Sequence, residues 1–258
     1  MTVLDSGHGG VSAARNIGME HISGDLLYFA DSDDELMPGL LSHVAEKFRE
    51  DPELDLLVFS TDKRTKKGEI VPRKYLEPRT FTGTEGFAAI CAGGSSYLIA
   101  ALWGKVYNIS RIGKENLVSF DTSIIRLEDK LWTLQMMQFV KKGRSSAFIG
   151  YIHNTNPESI MHQGRTEISG VLADERILEY IESREGKSGN YYVVAALGYG
   201  RAQKCLMKRV FYKGDEDDKK FFRSTLRRLH KELKGSKVKS HDYSWRKWIH
   251  YPLMLLSK

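Results

Sequence analysis

The stretch LLYFADSDDELMPGLL, residues 26–41, ends an apolar run in Asp31, Asp33 and Asp34, with Glu35 directly after. Carboxylates packed this closely repel one another unless a cation or a set of donors sits among them. Alternating carboxylates are hard oxygen ligands of the kind divalent cations take, and such a cation would in turn hold phosphate oxygens. One aspartate would be enough to cap a following helix. Three at the end of an apolar run point to a metal–phosphate site. A second acidic pair, Glu128-Asp129, opens the segment LEDKLWTLQMMQFVKKG. A carboxylate there complements a helix dipole, and one so placed can also accept a proton in catalysis. His153 and His162 have no Cys, Asp or third His at ligand spacing, so they read as hydrogen-bonded or exposed side chains. The GGSS run at 93–96 lacks the lysine of a phosphate loop and reads as a turn.

The elements that would position these residues follow from the apolar pattern. GGVSAARNIGMEHISGD reads as a helix stopped at Ser23-Gly24, DLLYFA as a buried strand, and MPGLLSHVAEKFRE as a helix with Pro38 in its first turn. LDLLVFST is another strand. Strand–helix–strand at this spacing implies an α/β unit and a largely parallel sheet, whose ligands bind beyond the carboxyl ends of the strands, where Asp31–Asp34 lie. Farther on, a hairpin is expected to turn at Lys67-Gly68, a short helix at TEGFAAICAGG, one helix through 127–143 with Lys141-Lys142 at its basic end and Gly143 as its stop, and a strand at SAFIGYIHN. From about residue 170 the pattern is mostly helical, interrupted at EGKSGN, KGDED and KGSKVKS.

The chain has 258 residues, 41% hydrophobic and 28% charged, as in an ordinary globular protein of one large domain or a domain with an appendage. Cys91 and Cys205 lie far apart, without metal or redox spacing, which fits a reducing compartment. No signal-peptide pattern and no run of membrane-spanning length is present, so a cytoplasmic location is expected. Residues 201–258 carry 17 Lys/Arg against 6 Asp/Glu, while the rest is slightly acidic. The ending WRKWIHYPLMLLSK mixes Trp with basic residues, as a segment lying on the inner, anionic face of a plasma membrane would. Nucleic acid is not expected as a partner: aromatics in the tail are few and no nucleic-acid-binding motif is recognisable.

The run GGVSAARNIGMEHISGDLLYFADSDD resembles the second half of the nucleotide-sugar domain of family-2 glycosyltransferases, inverting enzymes of GT-A fold. The resemblance continues through LWGKVYN, LEDKLW and YIHNTNPESIMH and covers about residues 8–162. It implies an α/β, Rossmann-like mixed sheet over residues 1–165, incomplete at its N-terminal edge, followed by a helical, basic extension over 166–258. It implies that Asp31 and Asp33 bind the donor and a Mn or Mg ion, that Arg15 lies near the donor, and that Asp129 is the general base. Trp103, Lys105 and Glu128 fall on the acceptor side.

Inverting glycosyl transfer needs a carboxylate to take the acceptor's proton and charge stabilisation for a departing nucleoside diphosphate, which suits these assignments. The expected reaction moves a hexose from a nucleoside diphosphate sugar to a glycan or lipid-linked acceptor, in bacterial surface polysaccharide synthesis. Two departures stand out. Asn154 occupies a place where many relatives carry Arg. Met1-Thr2-Val3-Leu4 aligns with the family's third strand, so about 60–70 residues of the family pattern, two strands and a helix, are absent by the usual unit length. The alternative expectation is therefore a truncated, inactive remnant that acts at most as a binding protein.

Overall fold

The computed structural model describes residues 2–4, 7, 9–95, 98, 100–155, 166–211 and 215–235. The chain forms two compact units, Met1–Gln163 and Gly164–Lys258. The first contains, in order, α1 (Gly10–Glu20), β1 (Leu26–Tyr28), β2 (Glu35–Leu36), α2 (Leu40–Glu50), β3 (Leu56–Arg64), β4 (Ile70–Lys74), β5 (Arg79–Phe81), α3 (Gly83–Cys91), β6 (Lys105–Asn108), α4 (Ile109–Ile112), α5 (Glu128–Met136) and β7 (Gly143–Asn154). The second contains α6 (Thr166–Glu185), α7 (Gly189–Phe211) and α8 (Glu216–Gly235). His162 and the Trp-containing tail from 236 onward lie outside the described residues, as do parts of the KGDED, KGSKVKS, GGSS and YIHNTNPESIMH stretches.

The apolar run at 54–59 becomes the centre of the sheet. Leu56, Leu57, Val58 and Phe59 are buried because β3 has strands on both edges and side chains on both faces. The order is β1-β6-β3-β7-β2, with β4 added beside the far half of β3 and β5 beside the start of β7. Among the described residues only β3 and β7 pair in parallel, and every other pairing is antiparallel. The sheet is thus mixed, and the largely parallel sheet inferred from strand spacing is corrected. The β1–α2–β3 crossover forms as expected, but β6 enters between its two strands in the opposite direction.

Several local signals give the expected elements. The hairpin turns at Gly68, whose φ of +82° suits glycine. Thr82 and Glu85 form a capping box at the start of α3. Two expectations shift. Pro38 precedes α2 rather than entering it, with Gly39 at φ +85° between them. Thr2–Leu4 carry no strand, and Val3 is 81% exposed, so this segment lacks the buried face a strand needs.

The helix expected through 127–143 ends at Met136, followed by one 3-10 turn. The cause is Asp55, buried at the start of β3. Its Oδ2 accepts from the backbone N–H groups of both Lys141 and Lys142, at 2.8 and 2.9 Å, while Oδ1 holds Arg111. A buried carboxylate must find such donors, and it draws this segment out of the helix and into β7. Lys141 and Lys142 therefore serve Asp55 through their backbone rather than a helix dipole, and Gly143 starts a strand.

In the second unit, α6–α8 bury Ile177, Ile181, Val194, Ala202, Phe222, Leu226 and Leu229. Asp174 is buried there with Arg201 at 2.6 Å. No described helix is long and apolar enough to cross a membrane.

The tightest backbone approach is at Gly83, whose N–H donates to Val140 O at 3.0 Å. A methyl group there would be driven into the carbonyl oxygens of Met137 and Val140. Gly83→Ala should lower stability by about 3 kcal/mol in urea titration, since backbone cannot yield as a side chain does. An unchanged midpoint would show that this junction is looser than described.

Candidate active site

The aspartate cluster is resolved by dividing its members. Asp34 has a fully buried side chain. Its Oδ2 accepts from the Tyr151 hydroxyl at 2.6 Å and meets His153 Nδ1 at 3.0 Å; its Oδ1 accepts from the Asn154 N–H at 2.7 Å. All three partners lie at the end of β7, so Asp34 pins the turn to the sheet. Burial, and then the bond to Asp34, push the Tyr151 phenol well above its ordinary range, which keeps its proton in place.

Asp31 and Asp33 are left toward the open side. The Asp31 N–H donates to the Tyr151 oxygen at 3.1 Å, and the carboxylate of Asp31 meets Arg15 at 3.1 Å. Asp33 is exposed, and its carbonyl accepts from the Asn154 side chain at 2.8 Å. Glu35 points away to Arg64, which binds both its oxygens at 2.8–2.9 Å and holds its carboxyl below the usual range.

Arg15 joins this turn to the other acidic pair. Its Nη2 reaches Asp31 while its Nη1 reaches Glu128 at 2.9 Å, and the guanidinium lies over the Phe120 ring. The next residue, Asn16, fixes the geometry through a reciprocal pair: it donates to Phe120 O at 3.0 Å and accepts from Phe120 N at 2.7 Å. Phe120 stacks on Trp132 of α5, and Phe29 meets the edge of both. The Arg-Asn pair of α1 is thereby used twice, once for charge and once for docking.

Glu128 and Asp129 begin α5 immediately after Leu127, which sits at φ +68°, the only positive φ of a non-glycine residue among those described. Such a backbone costs about 1 kcal/mol or more and collects at functional sites. Burial, then the neighbouring Asp129, raise the Glu128 carboxyl, against the pull of Arg15. Asp129 is half-buried and accepts from the Lys130 N–H at 2.7 Å.

Lys105 is 0% exposed, and its ammonium donates to Ala101 O. Burial pulls its pKa down to about 7, opposed by the charge of Asp129. Thr133 of α5 donates to Ala100 O at 3.1 Å, so the loop that holds Lys105 also abuts the helix carrying Asp129.

Arg15, Asp31 and Glu128 therefore meet directly, Asp129 follows in sequence, Asp33 shares the turn, and Lys105 lies beneath. Trp103 is placed differently. It is 8% exposed and stacks in parallel on Tyr151 and His153, at 5.3 and 5.9 Å, so it buttresses the side chains that hold Asp34. Sequence reasoning did not single out Asp34, Tyr151, Asn16 or Arg73 for separate roles. The signal for Tyr151 and His153 was alternation: residues two apart on a strand share a face.

Among the described residues no third carboxylate, histidine or cysteine joins Asp31 and Asp33 as a metal ligand, Asp34 being engaged with β7. Two carboxylates suit a cation of the Mg type, which takes one or two from the protein and the rest from phosphate and water.

Residues 2–103 match the family model described as Glycosyl transferase family 2. That stretch is similar in sequence to family-2 glycosyltransferases. Arg15, Asp31, Asp33 and Trp103 fall within the matched stretch; Lys105, Glu128 and Asp129 follow it. A curated relative, the uncharacterized glycosyltransferase EpsJ of Bacillus subtilis strain 168, is 26% identical over 163 residues. That match takes in 61% of this chain and 46% of the relative, so the chain spans about half the relative's length.

Among solved structures, S. aureus TarS 1-349 in complex with UDP matches with a TM-score of 0.62 at 16% identity, covering 98% of this chain and 69% of that one. The same TarS fragment in complex with UDP-GlcNAc matches with a TM-score of 0.52 at 14% identity, covering 90% and 75%. At these identities the likeness is one of fold, and the glycosyltransferase fold is GT-A.

Lys105 makes a testable link between the site and stability. Its folded pKa lies below that of an unfolded lysine, so above about pH 7 the unfolded chain binds the extra proton. Stability should then rise by up to ~1.4 kcal/mol per pH unit from about pH 7 to 10, and be flat in this contribution below pH 7. Denaturant titrations of wild type and Lys105→Met across pH 7–9 should diverge by this slope. Parallel curves would mean that Lys105 keeps its charge in the fold.

Proposed function

We propose that the protein transfers a hexose from a nucleoside diphosphate sugar to a hydroxyl of a glycan or lipid-linked acceptor, with inversion, in the assembly of a bacterial surface polysaccharide. The observation that carries this reading is the Arg15 bridge, which draws the aspartate turn and the Glu128-Asp129 helix start into one constellation. The complexes of the TarS neighbours with UDP and UDP-GlcNAc support a uridine donor.

In this mechanism Asp31 and Asp33 are the residues that would hold a Mg or Mn ion at the donor diphosphate. The chemistry such an ion would supply there is neutralisation of the charge on the departing nucleoside diphosphate. Arg15 supplies a second positive group at the same turn and keeps Glu128 against it. Asp129 accepts the proton of the attacking hydroxyl as the new glycosidic bond forms on the face opposite the leaving group. Glu128 stays paired with Arg15 and holds the start of α5 in register. Residues 201–258, with their large excess of Lys and Arg, bring the enzyme to an anionic lipid surface where a lipid-linked acceptor is presented.

Asp129→Asn should lower turnover by about 10²–10⁴-fold, the range expected for a lost general base, with UDP affinity within about twofold of wild type. Loss of UDP affinity with turnover retained would reassign Asp129 to the donor. For the cation, titration calorimetry with UDP should show binding about tenfold or more tighter with Mn than with EDTA, if Asp31 and Asp33 hold an ion at the diphosphate. Asp33→Asn should remove most of that difference. Equal UDP affinity in the two buffers would remove the metal from the account.

A further inference from the structure

Arg73 stands out among the arginines near the site. Arg15, Arg64, Arg79 and Arg111 each hold a carboxylate within 3.1 Å. Arg73 has no ion pair or hydrogen bond among the described residues; its guanidinium lies over the Trp103 ring, 4.7 Å from the centroid. The Trp103 ring in turn stacks on Tyr151 and His153, the side chains that hold Asp34. The carboxylate that acts on Arg73 is Asp34, which is already satisfied by three donors from β7 and is shut away from solvent.

The backbone aims Arg73 at this place. In the β3–β4 pairing Thr61 faces Lys74 and Asp62 faces Pro72, so Arg73 is the extra residue of a bulge. Bulges re-aim side chains and occur beside active sites. Arg73 is itself an exposed residue of β4, and the partial desolvation of its guanidinium over the single Trp103 ring lowers its basicity. A flat guanidinium in that condition matches the geometry of a phosphate, which it can bind through two parallel hydrogen bonds.

The aspartate turn is thus flanked by two guanidiniums on separate aromatic supports, Arg15 on Phe120 and Arg73 on Trp103. Arg15 is committed to the carboxylates of the proposed donor site. We infer that Arg73, backed by Trp103, is a binding subsite for a phosphate group carried by the acceptor. The inference rests on the transferase reading for the word acceptor, and on the Arg73–Trp103 geometry for the phosphate. A protein with two such subsites holds two anionic substrates at once, one on each side of the turn.

The probe is sn-glycerol 3-phosphate, a soluble phosphate monoester, titrated calorimetrically into protein saturated with UDP and Mg2+. Wild type should bind it. Arg73→Gln should weaken that binding at least tenfold while UDP affinity stays within twofold, and Arg73→Lys, which keeps the charge but loses the flat fork, should fall between. Three results would overturn the inference: no binding to wild type, equal binding to Arg73→Gln, or a matching loss of UDP affinity, which would place Arg73 on the donor. If wild type fails to bind UDP, the transferase reading fails instead. The glycerol phosphate titration without UDP then still decides whether Arg73 holds phosphate.

Discussion

A carboxylate shut away from water must be given hydrogen-bond donors, and the burial of Asp34 sets the form of the whole site. Its three donors all come from the last four residues of β7: the Tyr151 hydroxyl, the His153 ring and the Asn154 N–H. Removing one partner of such a buried set typically costs about 3–5 kcal/mol, because the remaining charge is left uncompensated. The bond network fixes the turn after β1 against the parallel β3–β7 pair, the most extended pairing of the sheet. Asp31 and Asp33 can then face outward without relying on one another, and the repulsion latent in the sequence is settled by giving each carboxylate a different surrounding.

The same economy of charge extends across the site. Arg15 serves two carboxylates on two elements, and Asn16 locks the helix that carries it. Lys105 sits without water under the loop beside α5, held by a backbone carbonyl and the nearby charge of Asp129. The strained Leu127 turns the chain so that Glu128 and Asp129 emerge together at the helix start. Each of these features is expensive on its own, and they converge on one small region. Such convergence is what a site selected for chemistry, rather than for stability, is expected to contain.

Much of this was legible in the sequence where the signal is dense and local. The aspartates at a strand end, the Arg-Asn pair in α1 and the acidic start of α5 could all be picked out from residue type and spacing. What escaped depends on partners far along the chain. Asp34 looked like its neighbours until Tyr151, 117 residues on, appeared beside it. The helix through 127–143 was shortened by Asp55, whose demand for donors leaves no trace in helical periodicity. The parallel sheet inferred from the β1–α2–β3 spacing became mixed because the short run at 105–108 inserts with opposite direction. Trp103 was noticed for its type, but whether a large aromatic lines a pocket or backs one is decided by what stacks on it.

The central claim is that the aspartate turn and the start of α5 form one donor site through Arg15. A crystal structure of the protein with UDP and Mn tests it most directly. The account predicts diphosphate and metal density at Asp31 and Asp33, within reach of Arg15, with Asp34 still bonded to Tyr151 and Glu128-Asp129 at the edge of the bound nucleotide. Nucleotide bound elsewhere, with Arg15 still closed on Asp31 and no metal at the turn, would contradict it.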